Sequence, residues 1–304
     1  MDTRRLKMKH YELIIVGGGA AGMLCAIEAK TKGIQSIALI EKEDCLGGAL
    51  NLGDYNIGGT HNITGKEFKE NIISAFYETN ATLFLNSTAL QVTDQTHVIL
   101  VNPNDGQVEL CGDKIIIATG AKEKNRSTFL IPGDRCSGIY SLGTAKKILV
   151  GTNASLGKEI VIVGVQHLDT IISVFQTRDI KIKAIINPEN EPFDSSPFSN
   201  ATIYNGYHIK EIAGFGRIDH LLLSNDQEDV TLLCDTLLFA TGWLSDGVLC
   251  MKSNMDLNPE TTGPKINENY ETCFSHVYAC GNGIFIHNTI EEIQQEVKKL
   301  FSSL

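Results

Sequence analysis

The chain has 304 residues, 42% of them apolar, and its 36 acidic residues outnumber 26 basic ones to give a formal net charge of −10. This composition supports a soluble globular chain of about two domains, and the acidic balance, with no basic block beyond RRLKMK at the start, argues against a nucleic-acid partner. No apolar run reaches the ~18–20 residues of a membrane span and no hydrophobic signal segment precedes the first strand, so a cytoplasmic protein with no membrane span is expected.

The first elements lie in residues 12–41, ELIIVGGGAAGMLCAIEAKTKGIQSIALIE. A buried strand, Leu13 to Val16, leads into Gly17, Gly19 and Gly22 at GxGxxG spacing, an Ala-rich helix follows, and a second strand ends at Glu41. In such a βαβ unit Gly17 allows the tight turn, Gly19 lets the backbone approach a pyrophosphate, and Gly22 lets helix and strand pack closely. The anion then sits at the helix N-terminus, where unpaired amides and the dipole favour it. Glu41, at the end of the second strand, is spaced to accept hydrogen bonds from an adenosine ribose.

A Gly-, Asn- and Thr-rich loop follows, KEDCLGGALNLGDYNIGGTHNITGKEF, with no strand or helix period until about residue 66. Loops of this length inside a compact domain are usually functional. DKIIIATGA, residues 113–121, is a strand with a turn, and KEKNR, residues 122–126, reads as a solvated linker or a small basic patch. EIVIVGVQHLDTIISVF, residues 159–175, starts a second nucleotide-type unit, a strand to Val163, then Gly164, and a helix from about Leu168. Here the second and third glycines are replaced by Gln166 and Asp169. A Gln166 side chain stands where a pyrophosphate meets backbone, and Asp169 competes with an anion for the helix N-terminus, or caps that helix.

The next strand, IKIKAIINPEN, ends with Asn187 and no ribose-binding acid at its tip, nor any basic cluster for a 2′-phosphate. NPENEPFDSSPFSN, residues 187–200, is a polar loop. DTLLFATGW, residues 235–243, and HVYACGNGIF, residues 276–285, follow, and a last helix starting near Asn288 carries Ile290, Ile293, Val297 and Leu300 on one apolar face.

The series GGGxAG, then Glu41, then xxxGG resembles the FAD domain of the two-dinucleotide-binding flavoproteins, the superfamily of thioredoxin reductase and the pyridine nucleotide-disulfide oxidoreductases. The two ATG turns resemble the crossovers between its domains, and CGNG resembles its last FAD motif. The resemblance implies an α/β chain with a Rossmann-like FAD domain, residues 1–121 and 241–304, and an inserted Rossmann-like NAD(P)H-type domain, residues 122–240. It implies FAD contacts at Gly17, Gly19, Ala20, Ala21, Gly22, Glu41, Lys42, Gly47, Gly48, Ala49, Thr119, Gly120, Gly281 and Asn282. Asn282 stands where the family has an acid that contacts ribityl or pyrophosphate; an amide also hydrogen-bonds there. The degenerate second fingerprint makes NAD(P)H a doubtful second cofactor. GGALNLGDYNIGGTHNITGKEF, GAKEKNRSTFLIPGDRCSGIYSLGTAKKIL and CGNGIFIHNTIEEI are similar to the small bacterial FAD-dependent oxidoreductases encoded beside glycerol-3-phosphate dehydrogenase.

The eight cysteines are scattered, with no CxxC and no metal-type spacing, so no metal is expected. A dithiol relay needs two thiols able to join, and neither the Gly-Gly loop nor the inserted domain offers the family's pair; Cys45 and Cys280 are read as bystanders rather than lone reactive thiols. Catalytic residues are unassigned, with His61 and His287 as candidates by motif position. The expected function is an FAD-dependent oxidoreductase taking electrons from a small-molecule substrate or a co-encoded dehydrogenase subunit. An NAD(P)H-dependent reductase with an altered site and a non-catalytic flavin-bearing subunit are the alternatives. A homodimer is expected from fold analogy alone.

Overall fold

The computed structural model describes residues 9–52, 64–152 and 154–304. Contacts divide the chain into two compact units, Met1–Lys122 with Leu244–Leu304, and Glu123–Trp243. In chain order the first unit holds β1 (Lys9–Val16), α1 (Ala20–Thr31), β2 (Ile37–Ile40), α2 (Gly65–Glu78), β3 (Thr82–Phe84), β4 (Thr88–Val92), β5 (His97–Asn102) and β6 (Gly106–Ile117), and β7 (Ala121–Glu123) leads out of it. The second unit holds β8 (Ile139–Ser141), α3 (Leu142–Gly151), β9 (Ile160–Val163), α4 (Asp169–Thr177), β10 (Ile182–Asn187), β11 (Thr202–Asn205), β12 (His208–Ala213), β13 (His220–Ser224), β14 (Asp229–Leu233) and β15 (Thr236–Phe239). The return passes through β16 (Trp243–Ser245) to α5 (Val248–Lys252), β17 (Val277–Ala279) and α6 (Ile290–Ser303).

The fold is α/β, with two Rossmann-like sheets. In the first unit the order is β3-β2-β1-β6-β5-β4, and β17 pairs the far end of β6. β1, β2, β3, β6 and β17 run parallel, while β5 is antiparallel to β6 and to β4. The apolar run of β1 is continuous because both faces are covered. Leu13 and Ile15 join α1, α2 and α6 residues such as Met23, Phe76 and Leu300 in one core layer. Ile14 and Val16 face the other layer with Ile115, Ile117 and Leu249.

The second unit repeats the plan with a parallel sheet, β11-β10-β9-β15-β8, and a three-stranded antiparallel sheet, β12-β13-β14. Ile160 and Ile162 face α3 and α4 residues, and Val161 and Val163 face Ile212, Leu221 and Leu223 of the antiparallel sheet. Among the described residues no helix is long and apolar enough to cross a membrane.

α2 begins at Gly65, as the sequence leads us to expect, where the Thr64 hydroxyl accepts the Glu67 N–H at 3.3 Å. α6 begins at Ile290 rather than near Asn288, because Thr289 adopts extended backbone and its side chain accepts the Glu292 N–H. A Thr in that role fixes the boundary more firmly than the apolar period does. The polar loop after β10 also contains a short turn, Ser196–Phe198, with Phe198 buried.

Candidate functional site

The carboxyl ends of the central strands in the first unit are tied together by backbone bonds. Gly17 N–H donates to Ile40 at 2.8 Å, Ala118 N–H to Val16 at 2.8 Å, and Cys280 N–H to Ile117 at 3.0 Å. The order of strands reverses between β1 and β6, and open α/β sheets bind ligands in the crevice at such a point. Gly17 has φ +118°, and a Cβ there would stand 2.2 Å from the Ala118 carbonyl oxygen. A Cβ on Gly22 would stand 1.9 Å from the Gly17 carbonyl oxygen. At Gly19, by contrast, an added Cβ meets nothing within 4 Å. The middle glycine thus opens onto space, directly before the first turn of α1 and its amides without helical partners.

Glu41 is 7% exposed, and its carboxylate is fixed by two backbone donors, Gly18 N–H to Oε2 at 2.6 Å and Glu43 N–H to Oε1 at 2.9 Å. The remaining lone pairs of both oxygens can accept hydroxyl donors. The Gly-Gly loop lies on the glycine turn: Gly47 bridges Gly19, and Gly47 N–H donates to Gly18 at 2.9 Å. A Cβ on Gly48 would come within 3.1 Å of Gly19 Cα. Lys42 and Ala49 are exposed beside this loop.

At the other side of the crevice, the Thr119 hydroxyl donates to the Asp246 carbonyl at 2.8 Å, and Asp246 N–H donates to Gly120 at 2.9 Å. The Gly281–Gly283 turn lies between these pieces: a Cβ on Gly281 would be 2.5 Å from Ala21 Cβ, and one on Gly283 would be 3.4 Å from Thr119 Oγ1. The structure therefore brings the sequence-selected Gly17–Gly22, Glu41, Gly47, Gly48, Thr119, Gly120 and the Gly281–Gly283 turn with Asn282 together at the carboxyl ends of the central strands. His61 lies outside the described residues.

His287 is joined to Asn282 and to a residue the sequence reading missed, Glu296. Asn282 Oδ1 accepts both the His287 backbone N–H and the ring Nδ1, each at 3.0 Å. Ring Nε2 faces Glu296 Oε2 at 3.0 Å, with side-chain exposures of 3% and 4%. Glu296 also accepts the Gly281 N–H. The signal for Glu296 was its place among Ile293, Val297 and Leu300 on the apolar face of α6, where a carboxylate needs a partner. Burial and then Glu296 push the nearby Tyr270 phenol up.

The turn of the second unit is built differently. Gly164 keeps a positive φ of +82°, with no room for a Cβ beside the Ala240 carbonyl. The Gln166 amide donates to Glu191 Oε2 at 2.6 Å, and His167 takes φ +59° with its ring 6.3 Å from that of Trp243. Asp169 is the first residue of α4 and does not cap it; the cap position is Leu168, which makes no side-chain bond. An acid does reach this place, against expectation. Glu191 is brought there by the turn after β10, in which the Glu191 N–H donates to Asn187 Oδ1 at 3.1 Å and Asn187 Nδ2 donates to the Glu191 carbonyl at 2.9 Å.

Arg126 of KEKNR is spent on its own loop, donating to the carbonyls of Ile131, Gly133 and Asp134. Cys45 is exposed, and partial desolvation of its sulfur, then Asp44 and Glu43, push its thiol up, away from a reactive thiolate. The Cys280 Sγ lies 3.4 Å from that of Cys25, and both residues are fully buried. The Cys25 contact and then burial push the Cys280 thiol well up. Among the described residues no His, Cys, Asp and Glu cluster is suited to a metal ion.

The chain is similar to known proteins in both sequence and fold. The profile of the family described as pyridine nucleotide-disulphide oxidoreductase matches residues 11–165. The soluble pyridine nucleotide transhydrogenase of Vibrio parahaemolyticus serotype O3:K6 is 24% identical over 91% of this chain, which spans 66% of that protein's length. The ferredoxin–NADP reductase of Lactobacillus johnsonii is 24% identical over 91% of this chain and 87% of its own. Among solved structures, T. acidophilum thioredoxin reductase superposes with a TM-score of 0.74 at 19% identity, covering 97% of this chain and 98% of that one. L-proline dehydrogenase from P. horikoshii superposes with a TM-score of 0.72 at 19% identity, covering 97% of this chain and 55% of that one.

Proposed function

Because the chain belongs to the pyridine nucleotide-disulphide oxidoreductase family, we propose that it is an enzyme, an FAD-dependent oxidoreductase passing electrons between a small-molecule or partner-subunit donor and an acceptor. The observation that carries this reading is the open face of Gly19, set at the N-terminus of α1 beside the carboxylate of Glu41. The residues present fit the dinucleotide: Gly17 to Gly22 would hold its pyrophosphate, Glu41 its adenosine ribose, and the Gly47–Gly48 loop would lie along the flavin. Bound FAD supplies the two-electron chemistry, while the protein binds and orients it.

The second turn does not fit a pyrophosphate on its backbone. Gln166 fills the approach and is tied to Glu191, and Asp169 places a carboxylate in the first turn of α4. NAD(P)H is therefore not the proposed reductant. A dithiol relay is also left out, since Cys25 and Cys280 are both shut in the core. The proposed donor is a small-molecule substrate or a co-encoded dehydrogenase subunit, supported by the sequence resemblance to oxidoreductases encoded beside glycerol-3-phosphate dehydrogenase. A cytoplasmic location and a homodimer belong to the same proposal.

One observation favours a second reading, an NAD(P)H-dependent reductase with an altered site: Glu191 stands beside the second turn as a ribose-binding acid would, and relatives are named for pyridine-nucleotide reactions. The flavin reading itself is tested by absorbance near 450 nm on purified protein, as isolated and after adding FAD and removing the excess. A retained flavin spectrum is expected; a protein that neither carries nor takes up FAD would contradict the reading.

A further inference from the structure

The orientation of the Asn282 amide is fixed by chemistry rather than by fit. The His287 backbone N–H can only donate, so the Asn282 atom that meets it at 3.0 Å must be the oxygen. The same oxygen meets ring Nδ1 at 3.0 Å, which makes Nδ1 the protonated nitrogen. Nε2 then faces Glu296 Oε2 at 3.0 Å, and a proton lies on that line, on one atom or the other. The other Glu296 oxygen is held by Gly281 N–H. Both acceptor sites of Oδ1 are thus used, while the two N–H bonds of Asn282 Nδ2 have no partner among the described residues. An aspartate at this position would present a charged acceptor in the same direction; Asn282 presents a donor.

We propose that His287 and Glu296 are positioning residues that lock Asn282 as a hydrogen-bond donor to a phosphate oxygen of the dinucleotide, reversing the polarity of an acid at that place. The phosphate, rather than the flavin ring, is the partner because Gly281 abuts Ala21 in the first turn of α1, where the glycine turn gathers anion-binding amides. A donor beside a phosphate makes a charge-assisted bond, whereas a carboxylate there adds repulsion. The inference rests on the FAD reading above and deepens it.

The test is the dissociation constant for FAD, titrated into apoprotein and read by quenching of flavin fluorescence, with circular dichroism confirming that each variant is folded. Asn282→Asp and Asn282→Ala are each expected to weaken binding at least about tenfold, the size of a hydrogen bond to a charged group. His287→Ala is expected to weaken it about three- to tenfold, and to add nothing in the Asn282→Ala background, because it acts through Asn282. Glu296→Gln keeps the bonding pattern, since its amide donates to Nε2 and its oxygen accepts from Gly281, and is expected to stay within about twofold. Undiminished binding by Asn282→Asp, additive losses in the double variant, or a Glu296→Gln loss equal to that of His287→Ala would each overturn the proposal. Wild-type protein with no affinity for FAD would instead remove the reading on which it rests.

Discussion

At Gly19 and Gly22 two glycines three residues apart answer to different demands. A methyl group on Gly22 would collide with the Gly17 carbonyl at 1.9 Å, whereas one on Gly19 meets no protein atom within 4 Å. Gly19 also has φ −78° and ψ −171°, which alanine adopts freely. Gly22→Ala is therefore expected to destabilise the apoprotein by about 2–3 kcal/mol, through overpacking of backbone on backbone. Gly19→Ala should change apoprotein stability by less than about 1 kcal/mol yet weaken FAD binding at least about tenfold. Chemical denaturation and flavin titration on both variants separate the two roles; equal effects on stability would contradict the assignment. This division was legible in the sequence because GxGxxG spacing between a strand and a helix fixes which glycine meets what. That Glu296 needs a partner was legible from its place on the apolar face of α6, but which partner was not, because His287 lies nine residues earlier in non-helical chain and no periodicity links them.

Among elements, β9 and β15 are joined at their starts by one carboxylate. Asp235 accepts the N–H groups of Lys158 and Glu159 at 2.8–3.0 Å, and the Thr236 hydroxyl at 2.9 Å. Burial acts to raise its pKa, but these donors and Arg217 outweigh it and hold the carboxyl below the ordinary carboxylate value. A carboxylate depressed in the folded state contributes stability that is present above the unfolded value, near 3.9, and is lost as pH falls through the lower folded value. Asp235→Asn, which replaces one acceptor by a donor facing backbone N–H groups, is expected to cost roughly 1 kcal/mol at pH 7. That difference should persist to about pH 5 and shrink below about pH 4, followed by urea unfolding across pH; a difference that grows on acidification would contradict it. The strands themselves were readable, since runs such as IVIV and LLF are apolar on both faces and both faces are covered. The start of the last helix was read less well: the apolar period continues up to Asn288, but the Thr289 hydroxyl decides where α6 begins.

On the scale of the whole molecule, one scaffold is built twice and finished differently. Both units place a central strand and a positive-φ glycine, Gly17 or Gly164, before a helix. Only the first continues with a glycine open to a ligand; the second continues with Gln166 bound to Glu191 and with His167 in a left-handed turn. The lost glycines were visible in the sequence, while Glu191 was hidden because the turn after Asn187 folds it back from beyond the strand. The account predicts that FAD-loaded protein, mixed anaerobically with NADH or NADPH and followed near 450 nm, shows no reduction faster than about 1 s⁻¹, the low end of ordinary turnover, while dithionite still bleaches the flavin. Rapid bleaching by either nucleotide would contradict it, and would make the Gln166 turn a working nucleotide site.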